Sequence, residues 1–394
     1  MSRFFNICNI YILLWCIFDY TFALSMPISR PLFVIIFAIT VYYTISVYRH
    51  PPIPIYLKGL TLLLFTFTIY GIVLLFSDIQ LYIHAIDKPV SKTVYLITIY
   101  KSLLPIFPFY AFTKKGLLTD RTIVKWLPIF LVITTATFFS TNQMMIEMSE
   151  TGRLEFTNNT GFIFVSLLPF VFFLDKKNTF QYITLFFIFS FIVLSMKRGA
   201  LLCGIIFIVW FIVNGLKDAG FKKRIMVIVS IIIFIGAGYY LINHLFNTSE
   251  YFRIRIEDTI EGESSGRDML YQYITYYFKN RMTAWQQVFG LGAESTLLIN
   301  DNYAHNDWLE ILINNGIFGI IVYLIYWRCC IKELHNIPKH STIRKMWVGL
   351  FLIYFTKTFF SMSYGGMTCF AALCIGYCLA NIPLYNRTTT NSRI

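Results

Sequence analysis

The 394-residue chain is 57% hydrophobic and only 13% charged, where an ordinary soluble domain carries about 25% charged residues. A soluble fold of this length has no interior large enough for so much apolar sequence, so composition excludes one. The formal net charge of +13 does not point to nucleic acid, because the basic residues form no single patch. They recur in short clusters between apolar runs, as the positive-inside rule produces.

The apolar runs predict an all-α integral membrane protein. Ile225–Leu241 and Gly199–Val213 carry no acidic or basic residue, and about 20 such residues cross a hydrocarbon core as a helix. Twelve spans are expected, at roughly 4–24, 32–48, 57–77, 94–112, 123–140, 160–175, 179–196, 199–216, 225–243, 308–327, 346–361 and 366–384. The N-terminal stretch has a charge followed by apolar residues but no small-residue cleavage pattern, so it reads as the first span. No fixed-period repeat and no soluble domain interrupts the series, which makes 1–394 a single polytopic domain.

With the N-terminus inside, the basic clusters fall on one side. They are Arg49 and Lys58, Lys114 to Arg121, Lys176 and Lys177, Lys217 to Arg224, Arg328 to Lys345, and the tail. The other side receives the acidic stretch Glu147–Glu155 and a large loop, 244–307, between spans nine and ten. Apolar and aromatic residues at 270, 273, 274, 277 and 278 have helical spacing, so an amphipathic helix is expected near 268–280, on the membrane surface or capping the bundle. The eight cysteines, Cys8, Cys16, Cys203, Cys329, Cys330, Cys369, Cys374 and Cys378, all lie in or beside apolar segments. They show neither a disulfide framework nor metal-ligand spacing and read as small packing residues.

Lys197 and Arg198 break the charge pattern, since they fall on the outer side between spans seven and eight. A basic pair at that depth either snorkels to headgroups or faces an anion. Asp19, Lys101 and Lys357 lie within spans and are functional candidates or a structural pairing. In the loop, Arg267 follows Ser264-Ser265-Gly266, a turn that can bring a guanidinium to a phosphate. His305, with Tyr303, Asn306 and Asp307 around it, stands just before a span. A histidine there exchanges a proton near neutral pH, although Asn or Asp at that point is also an ordinary helix cap. Gly290-Leu291-Gly292 reads as a turn.

Three blocks together resemble the O-antigen polymerase and O-antigen ligase superfamily of bacterial envelope glycosyltransferases. They are Met196-Lys197-Arg198-Gly199-Ala200; Ser265-Gly266-Arg267 followed by Phe289-Gly290-Leu291-Gly292; and Ala304-His305-Asn306-Asp307-Trp308-Leu309-Glu310-Ile311-Leu312 with Asn315-Gly316 and Gly319. The third is similar to the signature HNxxLExLxxxGxxG. The blocks cover about 196–320, and the first 190 residues are alike only in being membrane helices.

The resemblance implies a GT-C-like membrane glycosyltransferase with its active site on the periplasmic side of the bacterial inner membrane; the charge pattern puts both termini in the cytoplasm. It implies a donor glycan linked through diphosphate to undecaprenol and transfer to a sugar hydroxyl with inversion, without metal or other cofactor. By position, Arg198 and Arg267, with Lys197, would hold the diphosphate. His305 would orient or deprotonate the acceptor, supported by Asn306, Asp307 and Tyr303. Polymerisation of repeat units into O-antigen or capsular polysaccharide is the leading reading. The alternative is a ligase acting on lipid A core in lipopolysaccharide biosynthesis, and a lipid-linked oligosaccharide flippase is a third. The partners are the lipid-linked glycan, the acceptor glycan, the bilayer and, for a polymerase, a chain-length regulator; nucleic acid is not among them.

Overall fold

A computed structural model describes residues 6–83, 88–150, 158–174, 178–217 and 267–382, with isolated positions between 236 and 257. The expected ninth span, 225–243, and the start of the 244–307 loop therefore lie for the most part outside the described residues. Within them the chain is helical apart from one hairpin. The helices are α1 (Ile7–Ala23), α2 (Ser29–Arg49), α3 (Ile55–Phe76), α4 (Thr93–Leu103), α5 (Ile106–Lys114), α6 (Asp120–Glu150), α7 (Gly161–Leu167), α8 (Asn178–Leu194) and α9 (Arg198–Lys217). They continue with α10 (Arg267–Asn280), α11 (Ala284–Phe289), α12 (Ser295–Asn300), α13 (Asp307–Asn336), α14 (Thr342–Lys357) and α15 (Cys369–Asn381). Strands β1 (Leu81–Ile83) and β2 (Lys88–Val90) pair antiparallel between α3 and α4.

Among the described residues, six helical stretches are long and apolar enough to cross a membrane. They are α2, α3, Thr93–Lys114, most of α6, α9 and α13; α1, Gly161–Leu174, most of α8 and α15 are shorter apolar helices. This is an all-α, multi-pass membrane architecture. Val34, Tyr42, Phe65, Phe76, Val132 and Phe180 stand exposed on its outside, as suits side chains that meet lipid tails rather than water.

Two expected spans are not straight helices. The fourth breaks between α4 and α5, where Pro105 caps the second helix. The sixth passes from α7 into a 3₁₀ segment, Leu168–Leu174, that contains Pro169. Proline lacks the N–H that an α-helical ladder needs and crowds the preceding turn, which explains both changes.

Small residues let the helices approach closely, the usual device where lipid supplies no hydrophobic drive between them. A Cβ on Gly376 of α15 would sit 2.7 Å from the Tyr110 nitrogen of α5. One on Gly349 of α14 would meet the Phe207 ring of α9 at 2.7 Å. Glu333, buried near the end of α13, accepts from the Tyr56 N–H at 3.1 Å. It thereby caps α3, whose own Pro54 makes no side-chain cap.

Candidate functional site

The third block of the sequence begins with a helix start. Asn306 caps α13, its Oδ1 accepting from the Trp308 and Leu309 N–H groups at 3.0 and 3.2 Å. Asp307 is fully buried, 0% exposed. Its carboxylate accepts from the Tyr323 hydroxyl at 2.6 Å and from the Ser363 N–H at 2.8 Å. One oxygen thus holds the 361–368 segment against the start of α13, and the other bonds within α13 itself. Glu310, also 0% exposed, accepts from the Ala304 N–H at 2.8 Å, from Asn314 at 3.2 Å and from the Thr296 hydroxyl.

These contacts hold the chain that precedes them. His305 has φ 50°, a left-handed conformation that costs a non-glycine residue energy and persists only where its surroundings impose it. Here the Glu310 bond to Ala304 on one side and the Asn306 cap on the other impose it. The same residues also fix the end of α14. The Thr358 carbonyl accepts from the Asp307 N–H at 2.8 Å, and the Thr358 hydroxyl accepts from the Trp308 indole at 3.0 Å. The Phe359 carbonyl receives Asn306 and Tyr271 at 3.4 Å each, and the Phe360 carbonyl receives Arg267 Nη1 at 3.2 Å. All of these grip the three residues that follow Lys357.

The grip places Lys357 at a cavity of about 590 Å³. Lys357 is 4% exposed; its Nζ donates to the Gly366 carbonyl at 2.7 Å and lies 4.7 Å from the centre of the Phe162 ring. Lys197, His305, Lys101 and Asp19 line the same space. The lining comes from the C-terminal parts of α1, α6 and α14, from the first half of the Thr93–Lys114 stretch, from the N-terminal parts of α7 and α15, and from residues just before α9 and α13. The cavity therefore opens at one end of the bundle.

His305 lies outside the spans, and its pKa is lowered from 6.5 to about 4. Burial is the first cause, followed by the positive charges of Arg267 and Lys197. The imidazole is thus neutral at physiological pH and able to accept a proton. Glu294, 5% exposed, has a pKa raised to about 7 by burial, with the nearby Glu310 adding to the rise and a hydrogen bond to Tyr303 opposing it.

The structure brings His305 and Lys197 together at one cavity and sets Arg267 near enough to act on His305. Arg198 opens α9 half-buried and is not among the residues lining the cavity. Asn306 and Asp307 hold backbone, and Tyr303 meets Glu294. Two features were not legible as parts of one site. Asp19, Lys101 and Lys357 each stood out as charges inside spans, but nothing in their spacing showed that they share one cavity. Glu294 carried a weak signal, as the one charged residue between Thr283 and Asn300.

The Phe289–Gly292 block is more than a turn. α13 breaks at Gly316, φ 66° and ψ −163°, and the block docks on that break. The Leu291 and Gly292 N–H groups donate to the Ile313 and Asn314 carbonyls at 2.9 and 3.0 Å, and Ser295 N–H donates to Asn314 Oδ1 at 2.9 Å. A Cβ on Gly290 would lie 2.3 Å from the Asn314 carbonyl oxygen, and one on Gly316 2.4 Å from that of Val288. Two glycines let two backbones touch, and carbonyls freed by the kink find new donors.

Among the described residues no group of three or more His, Cys, Asp or Glu side chains is placed to hold a metal ion. What the cavity offers is cationic side chains and a neutral imidazole at the end of a membrane bundle. That arrangement defines a multi-pass membrane protein with a polar, anion-compatible site. The sequence profile of the O-antigen ligase family matches residues 183–324, from within α8 into α13. That match spans just over a third of the chain and supports a likeness to the O-antigen polymerase and ligase superfamily, a glycosyl-transfer class. No curated protein and no solved structure matches the chain.

Proposed function

We propose that the chain polymerises undecaprenyl-diphosphate-linked oligosaccharide repeat units into O-antigen or capsular polysaccharide at the outer face of the bacterial inner membrane. The observation that carries this reading is the cavity that joins Lys197 and Lys357 to His305 at one end of the bundle. In the twelve-span, N-terminus-inside arrangement, the helix ends that line it all fall on the periplasmic side.

On this reading the donor diphosphate lies against Lys197 and Lys357, with Arg267 nearby. The acceptor hydroxyl attacks the anomeric carbon of the donor from the face opposite the diphosphate, so configuration inverts. The new C–O bond forms as the C–O bond to phosphate breaks, and its electron pair leaves with the polyprenyl diphosphate. Fixed cations stabilise that growing charge without reorganising. The hydroxyl proton passes to neutral His305. Arg267 and Lys197 make His305 a weak base before the donor binds, and the bound diphosphate offsets them. The base therefore strengthens only once the donor is in place.

The ligase alternative, with lipid A core as acceptor, is favoured by the description of the matching family. A deletion strain complemented with the wild-type gene or with His305→Ala decides between them, with surface glycan and the lipid-linked pool resolved on gels. Loss of long chains while single repeat units still reach the surface marks a polymerase. Long chains stranded on undecaprenyl diphosphate mark a ligase. A normal pattern from the variant contradicts both.

A further inference from the structure

The titratable groups that line the cavity fall into two sets. Lys197 and Lys357, with His305, form the cationic set. On α1 and α4, Asp19 and Lys101 lie close enough for each to act on the other's charge, and Lys101 also acts on Lys357; Asp19 is the carboxylate of this set. Asp19 Oδ2 accepts from the Cys369 thiol at 3.2 Å, and Lys101 Nζ stands 3.9 Å from the centre of the Phe22 ring. Thr98 and Thr141 add hydroxyls and Trp15 an aromatic wall. The Thr141 hydroxyl oxygen is buried with no hydrogen-bond partner among the described residues. One turn earlier, Thr137 gives its hydroxyl to the Ile133 carbonyl at 2.8 Å, the usual resting place for a helical threonine.

A carboxylate repels a diphosphate but accepts readily from sugar hydroxyls. Threonine hydroxyls can both give and accept, and aromatic faces suit the apolar side of a sugar ring. We propose that the α1–α4 side of the cavity is a separate subsite for an uncharged sugar ring, that of the acceptor, with Asp19 accepting from its hydroxyls. The inference rests on reading the cationic set as the donor diphosphate site. It gives a role to helices that lie outside the family-matched segment, and it divides one cavity into a cationic part for phosphate and a carboxylate-bearing part for sugar.

Binding to the purified full-length protein in lipid nanodiscs tests this with two probes that cannot substitute for one another. One is an alkyl glycoside of the host's repeat unit, which has no phosphate. The other is a short polyprenyl diphosphate, which has no sugar. Asp19→Asn, nearly the same shape, is expected to weaken the glycoside about tenfold, the scale of a lost charge-assisted hydrogen bond. It should leave the diphosphate within about twofold, which also shows that the variant is folded. Thr141→Val should weaken the glycoside in the same direction.

Unchanged glycoside binding in Asp19→Asn, or equal weakening of both probes, overturns the subsite. Displacement of the glycoside by the short polyprenyl diphosphate, which carries no sugar, contradicts two separate subsites. Lys357→Met tests the other half separately: unchanged diphosphate binding there contradicts the donor reading, while the Asp19 result still decides the sugar subsite.

Discussion

His305 is held at φ 50° between the Ala304 and Asn306 contacts, and its pKa near 4 comes first from burial and then from Arg267 and Lys197. The proposed chemistry turns that electrostatic setting into a pH signature. In the free protein the acid limb of kcat/KM for donor should fall near pH 4. In the loaded protein the diphosphate partly cancels the neighbouring cations, so the acid limb of kcat should lie higher. Coincident limbs, or a kcat limb below that of kcat/KM, would argue against donor binding beside His305.

Glu294 gives a second test, of stability. Its folded pKa, about 7, lies above the ordinary 4.5, so the folded state holds its proton more tightly than the unfolded one. The associated stability is fully present below about pH 4.5 and is lost as pH rises through about 7. Glu294→Gln should therefore melt above the wild type at pH 8 and show little difference at pH 5, as read by thermal unfolding in detergent.

Among the elements, the break in α13 is the most constrained. Gly290 and Gly316 both have positive φ, 79° and 66°, and each would drive a Cβ into backbone rather than into a movable side chain. Either glycine changed to alanine should cost about 2–4 kcal/mol, combining a left-handed penalty with overpacking. The measurement is the thermal midpoint and the yield of folded protein. Because Asn314 lies in the break and also bonds to Glu310 at 3.2 Å, the substitution should also disturb the carboxylate that holds Ala304. Activity should then fall further than stability alone explains. The sequence showed these glycines as two separate blocks about 25 residues apart. Their meeting depends on backbone approach in three dimensions, which no local pattern encodes.

Across the whole molecule, composition and the alternation of basic clusters were enough to read an all-helical, multi-pass membrane protein. The blocks around Lys197 and His305 led to the superfamily that the profile match supports. Those signals are legible because they are one-dimensional: apolar length, charge between spans, and a helix start marked by Asn306. Which helices meet is not of that kind. Asp19 on α1, Lys101 on α4 and Lys357 at the end of α14 share a cavity only because packing brings three distant helix ends together. The breaks at Pro105 and Pro169 were visible as prolines, but an apolar run hides whether a proline kinks a helix or divides it.

The central claim is that this cavity transfers a glycan from a lipid diphosphate with His305 as the base. Its most direct test is release of polyprenyl diphosphate from an undecaprenyl-diphosphate-linked oligosaccharide, with acceptor present, by the purified protein in nanodiscs. Wild type should release it, and His305→Ala should do so about 100-fold or more slowly, the range of a lost general base, while still binding donor. Lys357→Met should lose donor binding as well. Release at the wild-type rate by both variants would contradict the account.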